Sequence, residues 1–364
     1  MRVLFAGGGT GGHLYPGLAI ARAMVALSPD VKPFFIGAKR GIERNVLPTT
    51  EFEHELLDLH PLYRSRPWEN WKTLRGAVSA WSRIGAIVKA ERPAAVVGTG
   101  GYASGIALAY AATHGIPFAI QEQNSYPGIT TKFFSRYARQ IHNGFPEAVR
   151  YLHPGKRTVV FDSGNPIEPP PNPLPDKLAA RAAWNFNNDG RVMLVYGGSQ
   201  GSKAINDVVA AWIKRGLPEN LDVIWATGQG TYADYSGLES PHVRVRPYLS
   251  PMSEAYAAAD FAIARGGAMA TAELAAWGIP PIVIPLPTAA ADHQTANARA
   301  LSAAGAAEMI IQSEMSPEVL DRSVHSLLDD PSRLAERSVA VRTRARPNAA
   351  RDIAGHILEL IKRT

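Results

Sequence analysis

Cysteine is absent from all 364 residues. That excludes a disulfide framework, a thiolate nucleophile, an iron–sulfur cluster and a Cys-ligated zinc; it suits a reducing cytosol without proving one. Charge is also sparse, at 19 % of residues against 46 % hydrophobic, a balance that excludes disorder and low complexity. No signal peptide is expected, because Met1–Ala6 runs straight into glycines with neither a longer apolar run nor a cleavage site. Pro93 to Thr113 is a stretch of 21 residues without formal charge. Its Gly98, Gly100, Gly101 and Gly105 make it read as strand, glycine turn and helix, and no transmembrane helix is expected.

What is present is organised in halves. Residues 1–163 carry 19 basic and 11 acidic side chains, and residues 164–364 carry 19 and 21. The basic excess therefore lies in the first half, where an anionic partner or surface is expected beside the plainer reading of chance asymmetry. Between Asn165 and Asp176 stand Pro166, Pro169, Pro170, Pro171, Pro173 and Pro175, too dense for a helix or central strand. This linker separates an N-terminal domain, 1–163, from a C-terminal domain, 164–349. The last residues, 350–364, read as a helix that can pack back on the N-terminal domain. Each half opens on the same grammar: RVLFAGGGTGGH in the first and RVMLVYGGSQGSKAIND in the second, an apolar strand, glycines, then a helix. A later pair, AVVGTGGYASG and FAIARGGAMATAE, repeats it. The fold class is α/β, two Rossmann-like doubly wound parallel sheets facing a cleft at the carboxyl ends of their strands.

Gly7, Gly9 and Gly12 satisfy GxGxxG, whose default reading is a dinucleotide site. That reading wants an acid at the end of the second strand. The strand expected from Val31 to Ile36 runs instead into Gly37-Ala38-Lys39-Arg40, and the dehydrogenase reading loses its support. The loop Gly197–Ser202 places backbone N–H groups at a helix start, a ready diphosphate site. In Gly266–Glu273 the carboxylate can accept bonds from paired ribose hydroxyls, or merely suit the helix dipole.

GGGTGGHLYPGLAIA, GTGGYASG, QEQNSYPGITTK, GGSQGS and GGAMATAE followed by PLPTAAADHQTANA resemble the MurG family from residue 7 to about 307. The resemblance implies the GT-B glycosyltransferase architecture. It also implies transfer of GlcNAc from UDP-N-acetylglucosamine to undecaprenyl-diphospho-muramoyl-pentapeptide (lipid I to lipid II) in peptidoglycan synthesis, serving cell shape and division. Thr10, Gly11 and Gly12 match the family's first loop, His13 its histidine suspected of catalysis, and Asn124 an asparagine facing the donor sugar. Ser199 and Gln200 match the donor diphosphate loop, and Leu249 an apolar residue against uracil. Ala268, Met269, Ala270, Thr271 and Glu273 match the phosphate and ribose site, with Glu273 also set beside His13 among the catalytic residues. Gln294 matches the glutamine that reads sugar hydroxyls. One departure stands out: Glu168, in Gly164-Asn165-Pro166-Ile167-Glu168, replaces an arginine, and Lys203 or Arg191 would have to supply its charge.

The family inverts at the anomeric carbon, which needs a base for the incoming hydroxyl and stabilisation for departing UDP. His13 is the candidate base, with an ordinary pKa of ~6.5; its alternative role is to bond only backbone or phosphate. Asp292 beside His293 reads as ordering the loop of Gln294. No Asp-x-Asp motif is present, and neither a metal nor a cofactor is expected. Trp68, Trp71, Leu74, Val78, Trp81, Ile84 and Val88 recur at helical spacing among bases that include Lys72 and Arg75. Part of this stripe packs on the sheet; Trp68, Trp71, Lys72, Arg75 and Trp81 are expected to seat the chain on anionic lipid. The expected location is therefore peripheral, on the cytoplasmic face of the cell membrane (inner membrane), with other cell-wall synthesis proteins as further partners. Nucleic acid is not expected as a partner. The rival readings are a catalytically silent UDP-sugar-binding scaffold, or another GT-B enzyme such as a UDP-GlcNAc 2-epimerase or a lipid glycosyltransferase.

Overall fold

A computed structural model describes residues 1–59, 70–186 and 190–363, the side chains of 70–74 excepted. It divides into unit 1, Met1–Glu168 with Asn348–Thr364, and unit 2, Pro169–Pro347. Unit 1 is built from β1 (Arg2–Ala6), α1 (Gly11–Leu27), β2 (Lys32–Ala38), α2 (Glu43–Val46), β3 (Glu53–Leu57), α3 (Asn70–Glu91), β4 (Ala95–Gly98), α4 (Gly101–Thr113), β5 (Phe118–Glu122), α5 (Ile129–Phe134), β6 (Gln140–Asn143) and β7 (Val159–Phe161). All seven strands are parallel, in the order β3-β2-β1-β4-β5-β6-β7. Both faces of such a sheet are covered, so the central strands β1 and β4 are apolar on both faces beyond Arg2. The pleat of β1 shows the division: Val3 and Phe5 enter a core with Leu14, Leu18 and Met24 of α1, while Leu4 and Ala6 enter one with Ile84 of α3 and Ala107 of α4.

Unit 2 repeats the plan with α6 (Lys177–Ala183), β8 (Arg191–Tyr196), α7 (Lys203–Arg215), β9 (Leu221–Ala226), α8 (Tyr232–Tyr235), β10 (Val243–Arg246), α9 (Met252–Ala258), β11 (Phe261–Ala264), α10 (Ala268–Trp277), β12 (Pro281–Val283), α11 (His293–Ala303), β13 (Glu308–Met309), α12 (Pro317–Leu328) and α13 (Pro331–Thr343). Its sheet is again parallel, ordered β10-β9-β8-β11-β12-β13. The chain then ends in α14 (Ala349–Lys362), which belongs to unit 1. Ile353, Ala354, Ile357 and Leu358 of α14 are buried with the apolar face of α1.

α14 also meets β6 and β7, on the sheet face it shares with α1, through polar groups and stacked rings. The Gln140 amide donates to the His356 carbonyl at 2.8 Å. The rings of His142, Phe161 and His356 stack, the outer pairs at 5.0 and 4.1 Å between centroids. His142 is fully buried, bonded to Ser163 Oγ at 2.9 Å and to Gln140 Oε1 at 3.2 Å. Burial first, and the neighbouring His356 second, push its pKa down to about 3.

His142 is thus neutral when folded, whereas the unfolded chain takes up its proton below a pKa of ~6.5. Its contribution is fully present above that pH and is lost as pH falls towards about 3. The stability gap between wild type and His142→Gln, measured by urea unfolding, should shrink by ~1.4 kcal/mol from pH 7.5 to pH 5.5. An unchanged gap would show that the ring is not held neutral.

Candidate functional site

In unit 2 the loops leaving β8, β11 and β12 enclose a cavity of about 420 Å³. Its walls include Tyr196 at the end of β8, Gly197, Gly198, Gly201 and Ser202 of the following turn, Gly267 and Ala270 at the start of α10, and Gln294; Ser199 and Gln200 of the turn do not line it. The turn is possible because backbone packs on backbone. Gly201 has φ +74°, and a Cβ there would lie 2.1 Å from the Thr227 carbonyl oxygen. Ser202 caps α7, its Oγ accepting from Ile205 N at 3.4 Å. A larger hollow of about 620 Å³ lies near Met309, Arg322 and Arg337 at the β13 edge of the sheet, and none of the expected site residues lines it. Position at the strands' carboxyl ends, not size, singles out the first cavity.

The expected residues of this unit fall in distinct places. Ser199 and Gln200 are exposed on the turn, and Ala270 and Gln294 line the cavity. Gln294 Oε1 accepts from Leu286 N at 3.0 Å, which fixes the amide and leaves its NH2 as donor. Glu273 stands in the second turn of α10, where Oε2 accepts from the Tyr256 hydroxyl at 2.6 Å. Tyr196 OH lies 3.5 Å from that hydroxyl. Burial, then Tyr196 and Glu273, raise the Tyr256 pKa well above its ordinary value, so the phenol stays a donor. Met269 is half-buried and Ala268 buried. Thr271 is turned inward, its hydroxyl donating to the Gly267 and Ala268 carbonyls at 3.0 and 3.2 Å. Leu249 is buried in the core with Ala255 and Tyr256 and does not line the cavity. Asp292 accepts from Thr295 and His293 bonds the Ala290 carbonyl, both at 2.5 Å, so both are committed to their own loop.

In unit 1 two glycine loops interlock. The loop before α1 meets the one before α4: Gly8 N donates to Gly100 O at 3.3 Å, and a Cβ on Gly101 (φ +75°) would lie 2.0 Å from Gly8 O. Thr99 Oγ1 donates to the His13 carbonyl at 2.7 Å. The His13 ring lies against Gly100, and its Nδ1 is 3.2 Å from Thr10 Oγ1. Thr10 and Gly12 are exposed and Gly11 and His13 half-buried at the same helix start.

Two carboxylates that sequence reasoning passed over hold loops of this unit, one of them the glycine loop before α1. Glu43, fully buried in α2, accepts from Gly9 N at 2.8 Å and Ala38 N at 3.3 Å. β2 runs on to Ala38, and the acid near its end grips the glycine loop from beneath, buried where no ribose reaches it. Glu122, 4 % exposed, accepts from Asn124 N at 3.0 Å, Gly128 N at 3.1 Å and Thr131 Oγ1 at 2.6 Å, and so sets the loop that carries Asn124. Asn165 donates to the Gln123 carbonyl at 3.0 Å, while Glu168, three residues on, is exposed.

The tryptophan stripe divides. Trp68 lies outside the described residues, and Trp71 and Lys72 are on α3, their side chains outside the description. Ala80, Ile84 and Ile87 face the core, whereas Arg75 is exposed, Val78 is 65 % exposed and Trp81 37 %. Trp81 leans on Tyr110 of α4 at 5.0 Å between centroids. Among the described residues no helix is long and apolar enough to cross a membrane, and no three His, Asp or Glu gather as a metal site.

Residues 3–143 match the glycosyltransferase family 28 N-terminal domain and residues 192–354 its C-terminal domain. The chain is 40 % identical over 368 residues to the UDP-N-acetylglucosamine–N-acetylmuramyl-(pentapeptide) pyrophosphoryl-undecaprenol N-acetylglucosamine transferase of Salinibacter ruber, covering 99 % of this chain and 97 % of that protein. It is 35 % identical over 373 residues to the protein of the same name from Desulforamulus reducens, covering 100 % of each. The crystal structure of Acinetobacter baumannii MurG superposes with a TM-score of 0.77 at 29 % identity, over 100 % of this chain and 99 % of that one.

Because the Tyr256 hydroxyl donates to one oxygen of Glu273, removing it leaves the half-buried carboxylate one bond short. Tyr256→Phe should weaken calorimetric binding of uridine and of UDP alike, by ~3–10-fold. Unchanged uridine affinity would remove Glu273 from the ribose role.

Proposed function

The chain belongs to glycosyltransferase family 28 and, within it, to the MurG family, and on that premise we propose how its residues share the work. It is an N-acetylglucosaminyltransferase. GlcNAc passes from UDP-N-acetylglucosamine to the 4-hydroxyl of the muramoyl sugar of undecaprenyl-diphospho-muramoyl-pentapeptide, converting lipid I to lipid II. The observation that carries the residue assignment is the cavity at the carboxyl ends of β8 and β11, with Gly197, Gly198, Gly201 and Ser202 on one wall, and a carboxylate held by Tyr256 in the second turn of α10. In this reading Glu273 takes the ribose hydroxyls, and the Gly197–Ser202 turn with Ser199 and Gln200 takes the diphosphate. Gln294 and Asn124 read the sugar, and Ala268, Met269 and Ala270 shape the floor. Leu249 supports the uracil side from within the core.

Transfer is one in-line displacement. The acceptor oxygen forms a bond to the anomeric carbon as the bond to the UDP oxygen breaks, and UDP departs with the electron pair. His13 is proposed as the base that takes the acceptor proton. Its Nδ1 lies 3.2 Å from Thr10 Oγ1 at the start of α1, and an imidazole suits proton removal near neutral pH. Charge on the departing UDP is met by the helix N-termini of α7 and α10. The basic first half (19 against 11 charges in 1–163) and the exposed face of α3 suit a peripheral seat on the cytoplasmic, anionic face of the membrane, where the lipid-linked acceptor resides.

The decisive experiment is radiolabel transfer from UDP-N-acetylglucosamine to a short-chain lipid-linked muramoyl-pentapeptide, with and without chelator. Transfer at equal rate in both is expected; donor binding without transfer would favour the silent scaffold. For the membrane seat, Lys72→Glu with Arg75→Glu should release the protein from anionic vesicles, each charge being worth ~1 kcal/mol near such a surface. Undiminished vesicle binding would move the seat elsewhere.

A further inference from the structure

Arg265 follows β11 directly and is only 8 % exposed, yet it lines the cavity of unit 2. Its Nη1 donates to the carbonyl oxygens of Ile284 and Pro285, each at 3.1 Å. Its Nη2 donates to Ser202 Oγ at 2.6 Å and to Gln312 Oε1 at 2.7 Å. All four acceptors are neutral. Among the described residues no carboxylate lies within ion-pair distance of the guanidinium. Burial lowers its pKa, and no anion holds it up.

A buried cation without a counter-charge is costly, and protein interiors normally pair it. Asp260, at the amino end of the same sheet, has that ordinary arrangement, bonded by Arg181 and by Lys177 at 2.9 Å. The placement of Arg265 adds to the cost. Ser202 is the N-cap of α7, so the guanidinium is bound at the positive end of a helix dipole. Lys203, another cation on the cavity wall, is already held by Asp207 at 2.7 and 2.8 Å. Arg191 lies at the start of β8, at the opposite edge, 3.6 Å from Asp260. Positive potential therefore collects on one wall of the cavity, and its missing partner is an anion.

We propose that Arg265 is a positioning residue for the diphosphate: it holds the Ser202 hydroxyl and the Gln312 amide in place, and its charge is the counter-ion that only a bound nucleoside diphosphate completes. The inference rests on the donor-site reading above. It places the positive charge that the exposed Glu168 lacks inside unit 2, on a strand end. The charge also strengthens its hold as UDP departs, because the leaving oxygen gains negative charge in a site of low dielectric.

The test is calorimetric titration of the full chain with uridine, UMP and UDP, in wild type, Arg265→Gln and Gln312→Glu. The second variant keeps the guanidinium and its bonds but sets a carboxylate 2.7 Å from it. Both variants should lose at least about tenfold in UDP affinity, with uridine changed less than about twofold and UMP in between. A guanidinium serving only as a structural clasp predicts unchanged UDP binding in Gln312→Glu, and that result would overturn the proposal. So would a parallel loss of uridine and UDP in Arg265→Gln. Should Arg265→Gln fail to fold, Gln312→Glu decides alone. A wild-type protein that binds neither uridine nor UDP would instead sink the donor-site reading itself.

Discussion

Everything in the two sites depends on backbone meeting backbone at the carboxyl ends of parallel strands. Gly101 has no room for a Cβ because Gly8 O would lie 2.0 Å away, and Gly201 has none because of Thr227 O at 2.1 Å. These contacts bring loops from neighbouring strands so close that their N–H groups and helix starts converge on one place. Any side chain at those positions would part the loops and disperse the donors. The parallel sheet is thus more than a scaffold: its register decides which helix starts become neighbours.

The buried charges sort by edge in unit 2. At the amino edge Asp260 is fully answered by Arg181, Lys177 and the Val192 N–H. At the carboxyl edge Arg265 has neutral partners only. In unit 1 the buried acids near the glycine loops, Glu43 and Glu122, are bonded to backbone N–H groups and to hydroxyl or amide side chains. Each holds a loop in one shape by accepting from several donors at once, which a cationic partner would not do. Paired charges sustain the fold at one edge, while charges bonded to neutral groups shape the ligand-facing loops at the other.

Architecture was legible in the sequence because its signals are local. An apolar run, a glycine cluster and a helical period lie within twenty residues of one another at RVLFAGGGTGGH and again at RVMLVYGGSQGS, and both became strand, loop and helix. The family could be read for the same reason, from contiguous blocks in order. Less could be read from the stripe on α3. Helical period marks one face across Trp71 to Val88, but cover is decided by neighbours: Ile84 is sealed in the core, whereas Val78 is left exposed and Trp81 leans outward on Tyr110.

What sequence by itself determined is therefore the set of elements, the glycine turns and the chemistry they could hold. What only tertiary structure decided is which polar groups meet. Arg265 and Ser202 stand 63 positions apart, Gly9 and Glu43 34 apart, and no spacing rule links either pair. The one hint was a lone charge ending the apolar strand FAIAR. The physical reason is that a buried charge or carboxylate is defined by what lies opposite it, and that is a property of packed strands and helices, not of neighbours along the chain.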